Sequence, residues 1–269
     1  MNYNRDKDII LKMLPHYEDA QKNFSEKNIV GLFLQGSQNY NLDLPESDVD
    51  TKLIVTPTLN EIVLNNSPVS TTYVRENNEH IDFKDIRLYI DTFKKQNINF
   101  IEILFTKYFI VPDNYYDEWN MLINKNEEIA RLNPYRAVKA MKGMALEKFY
   151  ALDHPYPSKL SILEKYGYDP KQLHHLLRVE EFINRYIDGE KYKDCLIPNA
   201  FEYLLAVKKG WYSKTEAIKV AKESLQRIEE KVEHYCAIVP NENDKETENL
   251  LEEVKYKIIK KSLVMELNS

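Results

Sequence analysis

The sequence predicts an α+β protein: a small mixed β-sheet with flanking helices, followed by an all-helical domain. Short apolar runs of strand length, each ending at turn residues, fall in the first half of the chain. The second half carries long helical periodicities and no strand-like alternation of any length. With 43% hydrophobic and 30% charged residues in 269, the chain has the composition of a globular protein with a core.

The elements follow in order. Residues 4–26 read as an opening helix with Ile9, Ile10, Met13, Leu14 and Tyr17 as its apolar positions and a disturbance at Pro15. Residues 29–34 are a buried strand entering a tight turn at Gly36, and residues 49–55 are a second strand stopped by Pro57. Between them, residues 37–47 form a polar connection. Residues 58–64 suit a short helix, and residues 69–74 and 80–86 a hairpin around Glu76-Asn77-Asn78. The spacing turns helical over residues 86–95, and residues 100–105 are a further apolar stretch. Asn133-Pro134 opens a long helix with Val138, Met141, Ala145, Leu146 and Phe149 on one face. A domain boundary is expected within 112–133 and is drawn at 125/126, giving a sheet domain over 1–125 and a helical domain over 126–269 that closes over the cleft. Four more helices are expected over residues 171–187, 199–208, 213–233 and 243–263.

Composition narrows the function. The longest apolar runs, such as residues 29–34, are far short of the roughly 20 residues that span a bilayer, so no membrane helix is expected. The mixed-charge start does not read as a secretory signal. Cys195 and Cys236 have no paired spacing, and without a neighbouring base neither suits nucleophilic catalysis. A reducing cytoplasm is the expected compartment. A net charge of −6 argues against coating nucleic acid by bulk electrostatics, although a local basic groove stays open.

The chemistry centres on Gly36-Ser37 followed by Asp48-Val49-Asp50. Alternate strand residues share a face, so Asp48 and Asp50 project together while Val49 enters the core. Two adjacent carboxylates are unfavourable unless a cation neutralises them, and hard oxygen donors suit Mg²⁺, with Mn²⁺ as a substitute. Such an ion can bridge the phosphates of an NTP, and a second ion roughly 3.5–4 Å away would activate an attacking hydroxyl. The second ion needs a third carboxylate. Asp82 and Asp85 lie on opposite faces of their strand; Asp82 is favoured and Asp85 is the fallback. Gly36 lets backbone N–H groups approach phosphates, and the Ser37 hydroxyl adds a donor.

These residues resemble the DNA polymerase β-like nucleotidyltransferase superfamily. More narrowly, Gly36-Ser37-Gln38-Asn39-Tyr40-Asn41 with Pro45-Glu46-Ser47-Asp48-Val49-Asp50 looks like the bacterial and phage nucleotidyltransferases of the YcgL type. Residues 96–105 and 168–178, the latter holding Lys171, His175 and Arg178, are similar to further segments of that group, so the resemblance runs over about residues 28–215. Asn41 stands where glycine is usual and Ile98 where proline is; the match around Asp82 is loose. The resemblance implies a metal-dependent transfer of a nucleoside monophosphate from an NTP such as ATP, with release of pyrophosphate. The acceptor is an RNA end, a protein or a small molecule.

Basic residues recur at helical spacing: Lys139, Lys142 and Lys148, then Lys171, His175 and Arg178, with His174 beside them. Lys139, Lys171, His175 and Arg178 are candidates for holding NTP phosphates, and a solvated helix face is the alternative. Glu102 reads as structural, Tyr40 as packing against the turn rather than stacking on a base, and Trp119 and Trp211 as core or surface anchors. The competing class is a non-catalytic nucleotide- or RNA-binding regulatory protein that keeps the fold. A third reading makes the helical half a protein-interaction module.

Overall fold

The computed structural model describes residues 3–24, 27–44 and 47–268. Pro45 and Glu46 of the motif lie outside the described residues. The chain forms two compact units, Met1–Leu132 with Asn243–Ser269, and Asn133–Glu242. The boundary drawn at 125/126 therefore moves a few residues on, and the C-terminal helix, expected in the helical domain, belongs to the first unit.

The first unit opens with α1 (Tyr3–Asn23), β1 (Ile29–Gln35), β2 (Asp50–Val55), α2 (Leu59–Val63), β3 (Ser70–Val74) and β4 (His80–Asp85). It continues with α3 (Ile86–Lys94), α4 (Ile98–Ile101), β5 (Phe109–Ile110), α5 (Tyr116–Ile123) and α6 (Asn126–Ala130). The second unit holds α7 (Pro134–Tyr150), α8 (Leu160–Tyr166), α9 (Pro170–Ile187), α10 (Tyr192–Leu196), α11 (Phe201–Lys208) and α12 (Lys214–Ile238). The last helix, α13 (Lys245–Leu267), returns to the first unit.

The sheet runs β3-β4-β2-β1-β5. Among the described residues the β2–β4 pair is parallel and the other pairs are antiparallel. Period-2 alternation divides the strands between two faces. Leu32, Leu34, Leu53, Val55, Ile81 and Phe83 pack on Ile9, Met13 and Ala20 of α1. These α1 positions are four and seven residues apart and so share one side of the helix, Ile9 and Met13 each contributing ~2 kcal/mol by leaving water. Pro15 stays inside α1 without ending it.

On the opposite face Phe33 meets the Trp119 ring of α5 at 4.2 Å. Gly31 sits there because an added Cβ would lie 2.6 Å from the Phe33 ring. α13 joins this unit through Leu251, Val254 and Ile258, all fully buried, and through Ser262, whose hydroxyl lies 2.7 Å from Asn28 Nδ2 and 2.6 Å from Thr56 Oγ1.

The second unit is built around α9. Asp169 caps it by accepting from Lys171 N, and Pro170 starts it with no N–H to leave orphaned. Leu173, Leu176, Val179, Phe182, Ile183 and Tyr186 form its buried side, against α7, α10, α11 and α12. Among the described residues no helix is long and apolar enough to cross a membrane.

Candidate active site

The polar residues of interest gather at one end of the sheet because of register. Gln35, the last residue of β1, is paired with Asp50, the first of β2, and Lys52 is paired with Asp82 of β4. The turn that follows β1 thus stands beside the start of β2. Gly36 has φ 96 and ψ −162, a conformation that a side chain would strain, and residues Ser37–Tyr40 make one 3-10 turn. Asn41 closes that turn in the left-handed region at φ 58, where asparagine is tolerated.

Gln38 and Asn39 hold the turn in place. Gln38 Nε2 donates to the Asp48 carbonyl at 2.5 Å, tying the turn to the acidic segment. Asn39 Nδ2 donates to the Leu34 carbonyl at 3.0 Å and its Oδ1 accepts from Thr106 Oγ1 at 2.6 Å. Tyr40 is 4% exposed and packs in the core, so it offers no face to a base.

β2 begins at Asp50, one residue later than expected, so Asp48 stands ahead of the ladder. Val49 still turns into the α1-side core, and the flanking Asp48 and Asp50 are exposed and half-exposed. Asp50 Oδ1 accepts from the His80 backbone N–H at 2.9 Å, with His80 Nδ1 at 3.3 Å. Alternation then separates the two candidates for the third acid. Asp82 is on the same sheet face as Asp50 and Lys52, and its oxygens are engaged by Thr72 Oγ1 at 2.8 Å and Lys52 Nζ at 3.7 Å. Asp85 is on the other face, fully buried, capping α3 through Arg87 N at 2.8 Å and paired with the Arg87 guanidinium at 2.7 Å. That role leaves Asp85 no access to a ligand.

Lys52 is the residue the motif reading passed over. Its side chain faces the acids, is 3% exposed, donates to Gln35 Oε1 and lies 4.9 Å from the centre of the Phe100 ring. Burial pushes its ammonium down to about 8, against the opposing pull of Asp82 and Asp50. The spacing Asp50-x-Lys52 already placed the two on one face.

Behind the acids, on the α1 side, a second set of groups fixes the backbone. Glu79 Oε1 accepts from Val49 N at 3.2 Å, while Oε2 accepts from His16 Nε2 at 2.9 Å and from Arg75 at 2.7 Å. His16 Nδ1 lies 3.0 Å from Thr51 Oγ1. A carboxylate only accepts, so Nε2 carries the proton. Burial alone would raise Glu79, yet bonds from Asn77, His16 and Val49 hold it below its ordinary value. Burial lowers His16, with Glu79 opposing in part.

The remaining candidates lie in the second unit. Lys139 is exposed, with its ammonium 5.6 Å from the Tyr135 ring. Lys142 pairs with Glu229 at 2.7 Å, and Lys148 with Glu147 at 2.7 Å. Lys171, His175 and Arg178 recur along α9 at one-face spacing. Desolvation lowers His175 well below the ordinary imidazole value, and the nearby His174, Arg178, Lys171 and Lys148 add to it. His174 is buried, with Nδ1 donating to the Leu204 carbonyl at 2.9 Å, which makes it a core histidine. Among the described residues no three His, Cys, Asp or Glu side chains converge as metal ligands. No family model matches the chain, and no curated protein matches it.

Proposed function

We propose that the chain is a metal-dependent nucleotidyltransferase that moves a nucleoside monophosphate from an NTP to an acceptor on RNA, a protein or a small molecule. The observation that carries this is the register that sets the glycine turn beside Asp50, with Asp48 just ahead of it and Asp82 on the same sheet face as Asp50. The resemblance of the same residues to polymerase β-like nucleotidyltransferases supports it.

The donor set suits a hard divalent cation. Asp48 is exposed and Asp50 is bonded through Oδ1, leaving carboxylate oxygens toward solvent. Mg²⁺, when bound by Asp48 and Asp50, would supply positive charge that offsets the charge of a triphosphate. Gly36 keeps the backbone clear for a phosphate, and the Ser37 hydroxyl donates to it. The acceptor oxygen would bond to the α-phosphorus as the bond to pyrophosphate breaks, and Asp82 would complete the second cation site and help take the acceptor's proton. Lys171, His175 and Arg178 on α9 are a separate phosphate-binding candidate of the second unit.

The test is transfer of label from each NTP, with Mg²⁺, to cellular RNA, protein and small-molecule fractions. Asp50→Ala should abolish the labelling, by about a hundredfold or more. Equal labelling by wild type and variant removes the role given to Asp50.

One observation favours a second reading, a non-catalytic nucleotide- or RNA-binding regulator: both oxygens of Asp82 are already engaged. It expects NTP binding without turnover, and an Asp48→Asn chain that keeps its function in the cell.

A further inference from the structure

A buried ammonium is costly unless charged or polar groups surround it. Lys52 has such an enclosure: Gln35 Oε1, Asp82 Oδ2 at 3.7 Å, and the Phe100 ring face at 4.9 Å. Lys52 and Asp82 are direct cross-strand partners, and Asp50 precedes Lys52 by two residues on the same face. Lys84, next along that face of β4, points its ammonium at the same Phe100 ring at 5.0 Å. The charges around Lys52 are therefore Asp50, Asp82 and Lys84, with His80 beside Asp50. A sheet face that would otherwise set carboxylates side by side carries its own cation between them.

We propose that Lys52 is an internal counter-ion that holds Asp82 in place of a metal, so that a divalent cation reaches Asp82 only by displacing the ammonium. The inference rests on the metal-dependent reading above. It divides the acids into two kinds: Asp48 and Asp50, open to a cation in the resting chain, and Asp82, which joins after Lys52 has moved. The negative triphosphate of an arriving nucleotide is the natural new partner for the displaced ammonium, which couples completion of the site to substrate.

Mn²⁺ binding to the full chain without nucleotide tests this, read by calorimetry and by the electron paramagnetic signal of free Mn²⁺. Lys52→Gln should tighten Mn²⁺ binding by about tenfold or more, because the competing charge is gone. Adding Asp82→Asn to that variant should return the affinity to the wild-type value. Lys52→Met, of similar length and neutral, should behave as Lys52→Gln and covers the case in which glutamine disturbs packing. On the wild-type chain, the ammonium resonance of Lys52 should move as Mg²⁺ is raised to saturation. Unchanged Mn²⁺ affinity in folded Lys52 variants, no Mn²⁺ binding in either chain, or a Lys52 resonance fixed throughout the titration would each overturn the proposal. Unchanged affinity with NTP transfer intact discards the counter-ion and keeps the transferase; tighter binding with no transfer by any chain does the reverse.

Discussion

On the α1 side of the sheet, His16, Thr51, Glu79, Arg75 and Asp19 close on one another. On the α4 side, Asp48, Asp50 and Asp82 stand at the sheet end with exposed or half-exposed carboxylates. The strands are the same; the difference is exposure, since His16 and Thr51 are buried whereas the acids keep solvent access despite the bonds from His80, Thr72 and Lys52. Glu79 ends up as a clamp on Val49, whereas its sequence neighbour His80 contacts Asp50. One dipeptide at the start of β4 thus serves both sides, the part-buried network fixing the backbone that presents the acids.

If the α1 side is scaffold, breaking it should cost stability first. Glu79→Ala removes the acceptor shared by His16 and Arg75, although Arg75 keeps Asp19, and should lower unfolding free energy by about 2 kcal/mol, measured by urea denaturation. A loss under about 0.5 kcal/mol, the size of a surface substitution, would remove the contrast between the faces.

The second unit extends the comparison to a buried histidine. Burial, resisted by the bond to the Leu204 carbonyl, takes His174 from 6.5 to about 4. The folded pKa lies below the unfolded one, so the neutral form's contribution is complete above pH 6.5 and is lost as pH falls toward 4. This amounts to a few kcal/mol, on the order of 3. Thermal melts across that window should show stability falling with acidification, and His174→Gln should flatten the slope.

The smallest effect belongs to the turn. Gly36→Ala strains a residue at φ 96 without a steric clash, since the nearest atom is 3.7 Å away, and should cost about 1 kcal/mol. Its effect on NTP transfer should exceed that stability loss if the turn holds phosphate.

Much of the sheet was legible because β1, β2 and β4 show apolar runs or alternation, bounded by turn residues. β5 was not, since Phe109-Ile110 is too short to show a period and is defined only by pairing with β1. Amphipathicity announced α13, but an apolar stripe does not say what it packs on; Ser262 with Asn28 and Thr56 decides that. The choice between Asp82 and Asp85 needed the β2–β4 register, a non-local fact, whereas their lying on opposite faces was readable from spacing. Lys52 was within reach of the same alternation that linked Asp48 to Asp50. A charged residue in a strand suggests solvent, and only the fold shows it enclosed by Gln35, Asp82 and Phe100.

The most direct measurement is pyrophosphate release from the four common NTPs with Mg²⁺ and a cell extract as acceptor source, comparing wild type with Asp50→Asn at equal thermal stability. The account predicts steady release by the wild type from at least one NTP and none above background from the variant. Release that persists undiminished in Asp50→Asn would contradict it.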